Sequence, residues 1–513
     1  IKNDLSRSFY IEAGAGTGKT TCLVERIVSI ILSGQTDISR IAAITFNESA
    51  ATHLRDRVRE ALEEHLRSDG VSTEDSDRIS SALRELDTSA IQTLHSFAAR
   101  LIRQFPMESG VSPGFQVMDE VQTTKLLDEI WDEWIDVALE DIDLSKYLKI
   151  LLSLDVPLGH FKSVGKSFWE NFDLVKVGTF NDQPKPEPIE QSYLDSLEST
   201  FIQLMPFATN GDDDPLYKHV ENILKLMTLL SDSTVKPTVN LQLLTRYSQV
   251  FGASRSLWRI SNRRLGRQGD WETDHASGIN ACKLIKEHLH EFQEKVDGVL
   301  VQYAKHAMMP LLRDLAHVAS TSAKRRKFTG AVSFHDLLVS ARDLVRDYIE
   351  VRDYYRELYD YVLVDEFQDT DPIQAEIAAF LCEQVMPGTD PRDRLRDWKR
   401  ITTVPGKLFA VGDPKQSIYR FRRADVSVAN TVKDNLTDET LYLTQNFRSE
   451  NPVISWVNAV FGRVLEEGPS QPQYIPLDYY HEKVSPNGIP NVRFFGGEIK
   501  GPAPYIRKVE SDT

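Results

Sequence analysis

Cysteine is scarce: Cys22, Cys282 and Cys382 are the three in 513 residues, and they lack metal-ligand spacing. That excludes a small disulfide scaffold and suits a reducing, cytoplasmic interior. Long apolar runs are missing as well. The longest near the start, Ile27 to Leu32, is far too short to span a bilayer, so no membrane partner is expected. No secretory signal opens the chain, which begins at Ile1 without a methionine and reads as trimmed. Positive charge is in deficit, with 60 Lys and Arg against 76 Asp and Glu and a net charge of −16. A uniformly basic nucleic-acid coat is therefore excluded, whereas a local basic track is not. What is present is 41% hydrophobic and 27% charged residues, ample for several packed cores. At roughly 150 residues per domain, two to four domains are expected.

The first hundred residues alternate strand and helix signals. Ser8 to Ile11 reads as a buried strand, Thr20 to Leu32 as an amphipathic helix, and Arg40 to Phe46 as a second strand. A helix follows from about Ala50 to Leu66, Ser68 to Asp77 reads as a loop, and helices resume through Arg103. This alternation argues for a parallel sheet covered by helices. From Asp119 to Gly330 strand signals mostly vanish, and Leu126, Leu127, Ile130, Trp131, Trp134, Ile135 and Leu139 fall close to helical spacing. Asn181 to Pro188 is a breaker-rich linker inside this helical stretch. Charge is uneven there. Asp119 to Asp143 holds ten acids and one Lys, while Phe251 to Gly330 holds fourteen Lys and Arg against eight acids. Solvated helix faces are the plainer reading of both blocks, and a grip on duplex nucleic acid is the alternative for the basic one. Strands return at Tyr361–Val364, Lys407–Val411 and Thr440–Leu443, as though one sheet were interrupted by a helical insertion.

Ala13, Gly14, Ala15, Gly16, Thr17, Gly18, Lys19 and Thr20 follow the first strand and open a helix. Glycines let backbone amides approach phosphate oxygens, and the helix N-terminus favours the anion. In such a P-loop Lys19 reaches the β- and γ-phosphates of ATP and Thr20 places its hydroxyl on Mg²⁺. Ala13 departs from the strict pattern, which has Gly there. At the end of Tyr361–Val364 stand Asp365, suited to hold Mg²⁺, and Glu366, suited to orient water as a base. Adjacent carboxylates at a strand end also occur as helix N-cap residues. A base beside the metal ligand favours hydrolysis over transfer to an acceptor.

Three further segments follow: Asp365-Glu366-Phe367-Gln368-Asp369-Thr370, then Val411 to Arg422 (Val-Gly-Asp-Pro-Lys-Gln-Ser-Ile-Tyr-Arg-Phe-Arg), then Gln445-Asn446-Phe447-Arg448-Ser449. With the P-loop they resemble superfamily 1A DNA helicases of the UvrD/Rep type. Phe105-Pro106 to Gly114-Phe115 and Ser333 to Leu338 make the chain most similar to the RecB/AddA branch. The resemblance implies that Gln416 senses the γ-phosphate and couples it to DNA, that Arg448 is an arginine finger, and that Phe447 stacks on adenine. Taken alone, Phe447 also suits core packing. Thr45, Phe46, Thr93 and His95 resemble the family's single-strand contacts; read without the family, His95 is a helix-cap or core histidine. Tyr419 and Phe421 alternate with Arg420, Arg422 and Arg423, an aromatic-basic pattern on which bases stack. Phe421 stands where many relatives carry Trp, Arg423 where many carry Gly, and Asn47, Ser49 and His53 where Thr, Lys and Glu are common. No glutamine of the kind that reads adenine precedes the P-loop, and nothing after Ser449 resembles the later motor motifs.

The expectation is an α/β fold, a RecA-like P-loop NTPase parallel sheet flanked by helices with a large helical insertion. Its parts are motor domain 1A over 1–118 and 331–438, a 1B-like insertion over 119–330, and an incomplete start of domain 2A over 439–513. The implied activity is ATP-dependent 3′→5′ translocation on single-stranded DNA and single-strand/duplex junctions, in repair or recombination. The chain then reads as the N-terminal portion of a nucleoid-associated helicase, slow or inactive in hydrolysis on its own. Its implied partner is a second helicase-nuclease subunit. A P-loop phosphotransferase and a non-enzymatic single-strand-binding module remain as alternatives.

Overall fold

The computed structural model of the chain describes residues 4–232, 240–246, 266–274, 276–418, 423–465, 468 and 471–482. It divides into two units, Ile1–Val117 with Lys327–Thr513, and Met118–Arg326.

In the first unit the described strands include β1 (Phe9–Ala13), β2 (Ile41–Thr45), β3 (Ala90–Thr93), β4 (Gln116–Val117), β5 (Ala331–Val332), β6 (Tyr361–Val364), β7 (Leu408–Gly412) and β8 (Glu439–Leu443). Six of them form one parallel sheet in the order β3-β2-β6-β7-β1-β8, while β4 pairs with β5 alone. Phe9, Ile11, Ala43, Ile91, Leu363, Phe409 and Val411 pack on one face of the sheet against α1 (Lys19–Ser33), α2 (Glu48–Arg67) and α3 (Thr73–Glu85). Their alternates Tyr10, Ala42, Val362 and Ala410 are equally buried, so by strand alternation the opposite face is covered too. Burial on both faces is why these strands read as nearly continuous apolar runs.

Ends of elements carry their own chemistry. Asn47 caps α2 by accepting from the Ala50 amide at 2.7 Å, and Ser72 caps α3 by accepting from the Asp75 amide at 3.0 Å. The polar stretch after Ser68 is thus a loop only as far as Ser72; Thr73 to Asp77 are the first turns of a helix. Thr93 ends β3 and caps α4 (Leu94–Gln104), accepting from the Ser96 amide at 3.2 Å.

The second unit is built mainly of helices, among them Glu120–Glu140, Leu158–Glu170, Gln191–Leu204, Pro215–Ser231 and most of Ala281–Thr329. One core gathers Phe201, Trp271 and Phe292, and another Trp134, Phe161 and Leu311. The apolar spacing from Leu126 onward drifts off the core at its end: Ala138 is buried while Leu139 is 57% exposed. The linker over 181–188 has no regular structure, but His306 Nδ1 lies 3.0 Å from the Gln183 carbonyl and Arg313 pairs with Asp182. Of the basic block from Phe251 to Gly330, residues 251–265 and 275 lie outside the described residues.

Candidate nucleotide and nucleic-acid sites

Between β1 and α1 the chain closes on itself. The Thr17 amide and hydroxyl both donate to the Gly14 carbonyl, at 3.3 and 2.9 Å. Gly16 and Gly18 take φ of 74° and 89°, left-handed values that favour glycine. Gly18 is the N-cap of α1 and supplies no side-chain cap, so the first-turn amides stay available to an anion. Ala13 is the buried last residue of β1, and Lys19 and Thr20 open the helix.

Opposite the loop, the turn after β6 brings up the acids. Glu366 is left-handed at φ 47°, and its Oε2 accepts from Lys19 Nζ at 3.0 Å and from Gln368 Nε2 at 2.7 Å. Gln368 Oε1 in turn accepts from the Asp413 amide at 2.7 Å, and Asp413 Oδ2 accepts from Gln416 Nε2 at 2.6 Å. A continuous chain therefore joins Lys19 to Gln416. Thr20, Asp365, Glu366, Gln368, Asp369 and Gln416 line a cleft of about 330 Å³ with Phe46, Asn47 and His53. Burial, with Glu366 adjoining, pushes the Asp365 carboxyl up to about 6, and the same two causes push Asp369 up to about 6. Three carboxyls crowd one lysine there, and hard oxygen donors with surplus negative charge fit a magnesium ion. Among the described residues no three His, Cys, Asp or Glu side chains form a closed metal cage. That is consistent with an ion held by one or two protein oxygens together with phosphate.

The raised Asp365 carboxyl has a measurable consequence. Its folded value lies above the unfolded value of roughly 3.9, so the folded state binds the proton more tightly. Stability from this group is full below about pH 4 and is lost as pH rises towards about 6. Asp365→Asn is therefore expected to melt higher than wild type in EDTA at pH 8, by up to about 2–3 kcal/mol, and level with it at pH 4. An equal difference at both pH values would contradict this origin.

A third element docks on the loop. β9 (Gln445–Glu450) pairs in parallel with β10 (Asp478–His481). Asn446 Nδ2 donates to the Ala15 carbonyl at 2.5 Å, and the Phe447 amide donates to the Gly16 carbonyl at 2.9 Å. A Cβ at Gly16 would lie 2.7 Å from Arg448 Cβ, so only glycine allows this approach. Arg448 is exposed and carries no ion pair among the described residues.

A second cleft, of about 560 Å³, is lined by Phe46, Asn47, Glu48, Gln92, Thr93, His95, Arg100, Arg103 and Phe334 among others. His95 stands edge-on to Phe334 at 5.1 Å, and Glu48 Oε1 accepts from Thr93 Oγ1 at 2.8 Å and Ser96 Oγ at 2.9 Å. Phe46, Thr93 and His95 thus meet in one place. Thr45 does not line this cleft: it is buried, and its hydroxyl donates to the Asn47 carbonyl at 3.2 Å. Phe46 and Asn47 line both clefts. Tyr419, Arg420, Phe421 and Arg422 lie outside the described residues. Arg423 takes φ 69°, a left-handed value that favours glycine, with His335 at 2.9 Å and Asp371 at 3.7 Å from its guanidinium.

Local motifs assign no role to Gln368, although it sits within one, nor to Glu12, Lys415 and Lys433. Glu12 is buried on β1 and accepts from Lys415 Nζ at 3.0 Å and Lys433 Nζ at 2.7 Å. Burial works against the Lys415 charge, yet Asp413 and Glu12 hold it above its usual range. An acid in an otherwise apolar strand is the signal the sequence offers.

Comparison with known proteins agrees with this arrangement. Residues 1–437 match the family described as UvrD/REP helicase N-terminal domain. The chain is 25% identical over 89% of its length to an ATP-dependent helicase/nuclease subunit from Staphylococcus carnosus. To the proteins of the same name from Acetivibrio thermocellus and Enterococcus faecalis it is 26% identical, over 91% and 92% of its length. It spans 38–39% of the length of these relatives. With a parallel sheet that delivers a P-loop, two adjoining acids and a glutamine to one cleft, the chain belongs to the UvrD/REP helicase N-terminal domain family.

Proposed function

We propose that the chain is the ATP-hydrolysing motor portion of a DNA helicase that moves 3′→5′ on single-stranded DNA. The observation that carries this reading is the chain of contacts from Lys19 through Glu366, Gln368 and Asp413 to Gln416, beside a second cleft that shares Phe46 and Asn47. ATP lies on the amides of Gly14 to Thr20, with Lys19 on its terminal phosphates. Thr20 and Asp365 would hold Mg²⁺, which would neutralise phosphate charge, and Glu366 takes the proton of the attacking water. Phe46, Thr93, His95 and Phe334 offer ring and polar surface to bases, and the exposed Arg100 and Arg103 offer charge to phosphates. A shared wall lets the nucleotide state bias the grip on DNA.

The relatives are named as parts of helicase/nucleases, and we extend that to a role in DNA repair within the cytoplasm, alongside a partner subunit. No helix among the described residues is long and apolar enough to cross a membrane. Steady-state hydrolysis of Mg-ATP with and without single-stranded DNA tests the reading. Stimulation by DNA that falls as salt rises is expected. Hydrolysis indifferent to DNA favours a phosphotransferase, and DNA binding without nucleotide binding favours a passive clamp.

A further inference from the structure

An aromatic corner stands beside the phosphate loop. Phe447 is 47% exposed and Tyr480 58%, yet their ring centroids lie 5.1 Å apart at 47°. They come from β9 and β10, which pair in parallel with Asp478 opposite Gln445 and Tyr479 opposite Asn446. Asn446 turns to the loop, where it holds the Ala15 carbonyl, while past Tyr479 the register shifts and the rings of Phe447 and Tyr480 meet each other. The corner is fixed to the loop at several points. The Phe447 amide is bonded to Gly16, and His481 Nε2 lies 3.1 Å from the Phe447 carbonyl. Leu477 packs so closely on Gly14 that a Cβ there would meet its Cδ2 at 2.7 Å. Leu477 itself is held by Asn458, which accepts from its amide at 2.9 Å and donates to its carbonyl at 2.8 Å.

Two-stranded sheets are marginal in water, and two large rings left half in solvent add little to one. Placed one hydrogen bond away from a triphosphate cradle, these two tilted rings each offer an apolar face or edge to a nucleobase. We propose that Tyr480 is a second base-contacting residue, so that Phe447 and Tyr480 together hold the purine of the bound nucleoside triphosphate. This rests on the nucleotide reading above and adds to it the part of the ligand that the P-loop does not touch. The signal in the sequence is faint, because Tyr479-Tyr480 follows a stretch that lacks any of the quoted motifs.

Titration of the 513-residue chain with Mg-ATP and, separately, with inorganic tripolyphosphate tests the assignment. Stacking on one aromatic face is worth about a tenfold change in affinity. Tyr480→Ala is expected to weaken ATP binding by about tenfold while leaving tripolyphosphate binding unchanged. Tyr480→Phe, which keeps the ring, is expected to bind both as wild type does. Equal weakening of both ligands by Tyr480→Ala overturns the proposal, because the residue then supports β9 and the loop instead of the base. Unchanged ATP binding in Tyr480→Ala overturns it as well, with the nucleotide reading intact. Wild type that binds neither ligand removes the nucleotide reading itself.

Discussion

Lys19→Ala is expected to abolish nucleotide binding and turnover together, whereas Glu366→Gln keeps binding and loses turnover. The two side chains are paired at 3.0 Å, so nucleotide must take Lys19 away from Glu366 before the lysine can meet phosphate. Removing the lysine leaves the acids Asp365, Glu366 and Asp369 facing a polyanion without the one side-chain cation paired to them among the described residues. Removing the charge of Glu366 does the opposite, because it releases Lys19 and lowers the repulsion felt by Asp365 and Asp369. Glu366→Gln should therefore bind Mg-ATP at least as tightly as wild type while turnover falls by about 10²–10⁴, the usual contribution of a positioned base. Equilibrium binding and single-turnover hydrolysis on the two variants check this. Equal loss of binding in both would make Glu366 a structural partner of Lys19.

Arg448→Ala is expected to lower turnover by about 10³–10⁵ with little change in nucleotide affinity, the pattern of an arginine that meets charge only in the transition state. Its backbone lies against the loop, where its Cβ limits what Gly16 can carry, yet its guanidinium is free of ion pairs among the described residues. Local support does not depend on that guanidinium, since Asn446 Oδ1 accepts from the amides of Arg448 and Ser449 at 2.9 and 2.7 Å. The variant should thus melt close to wild type. A matching loss in binding and turnover would place Arg448 on the ground-state phosphates instead.

Much of the sheet is legible because buried parallel strands are written as apolar runs. Tyr361–Val364 matches its apolar run residue for residue, and Phe9–Ala13, Ile41–Thr45, Leu408–Gly412 and Glu439–Leu443 match theirs within two residues. β3 leaves no such mark, because Gln92 and Thr93 make half of Ala90–Thr93 polar and the strand runs directly into α4. β9 is polar and irregular, since its side chains serve the loop and not a core. Polarity also hides the start of α3, where Glu74 and Asp75 are first-turn acids. Within the site, what is legible is local: a glycine loop, and two acids at a strand end. What is not legible is the pairing of Gln368 with Asp413 or of Glu12 with Lys415 and Lys433, separated by 45 to 421 residues. No short pattern records a partner so distant.

That separation bears on how the molecule comes to be folded during synthesis. β1, which carries the phosphate loop, finds its hydrogen-bonding neighbours only in Leu408–Gly412 and Glu439–Leu443. At about 5–20 residues per second, roughly 20–90 s pass between the making of β1 and the making of its second neighbour. Until Leu408–Gly412 is made both edges of the strand lack their native partners, and until Glu439–Leu443 is made one still does, a condition that invites mispairing and chaperone capture. The helical unit Met118–Arg326 has its own cores and is completed first. The first of the described strands to leave the ribosome is among the last to be secured, and nascent-chain quality control has a long opportunity at the segment that carries the phosphate loop.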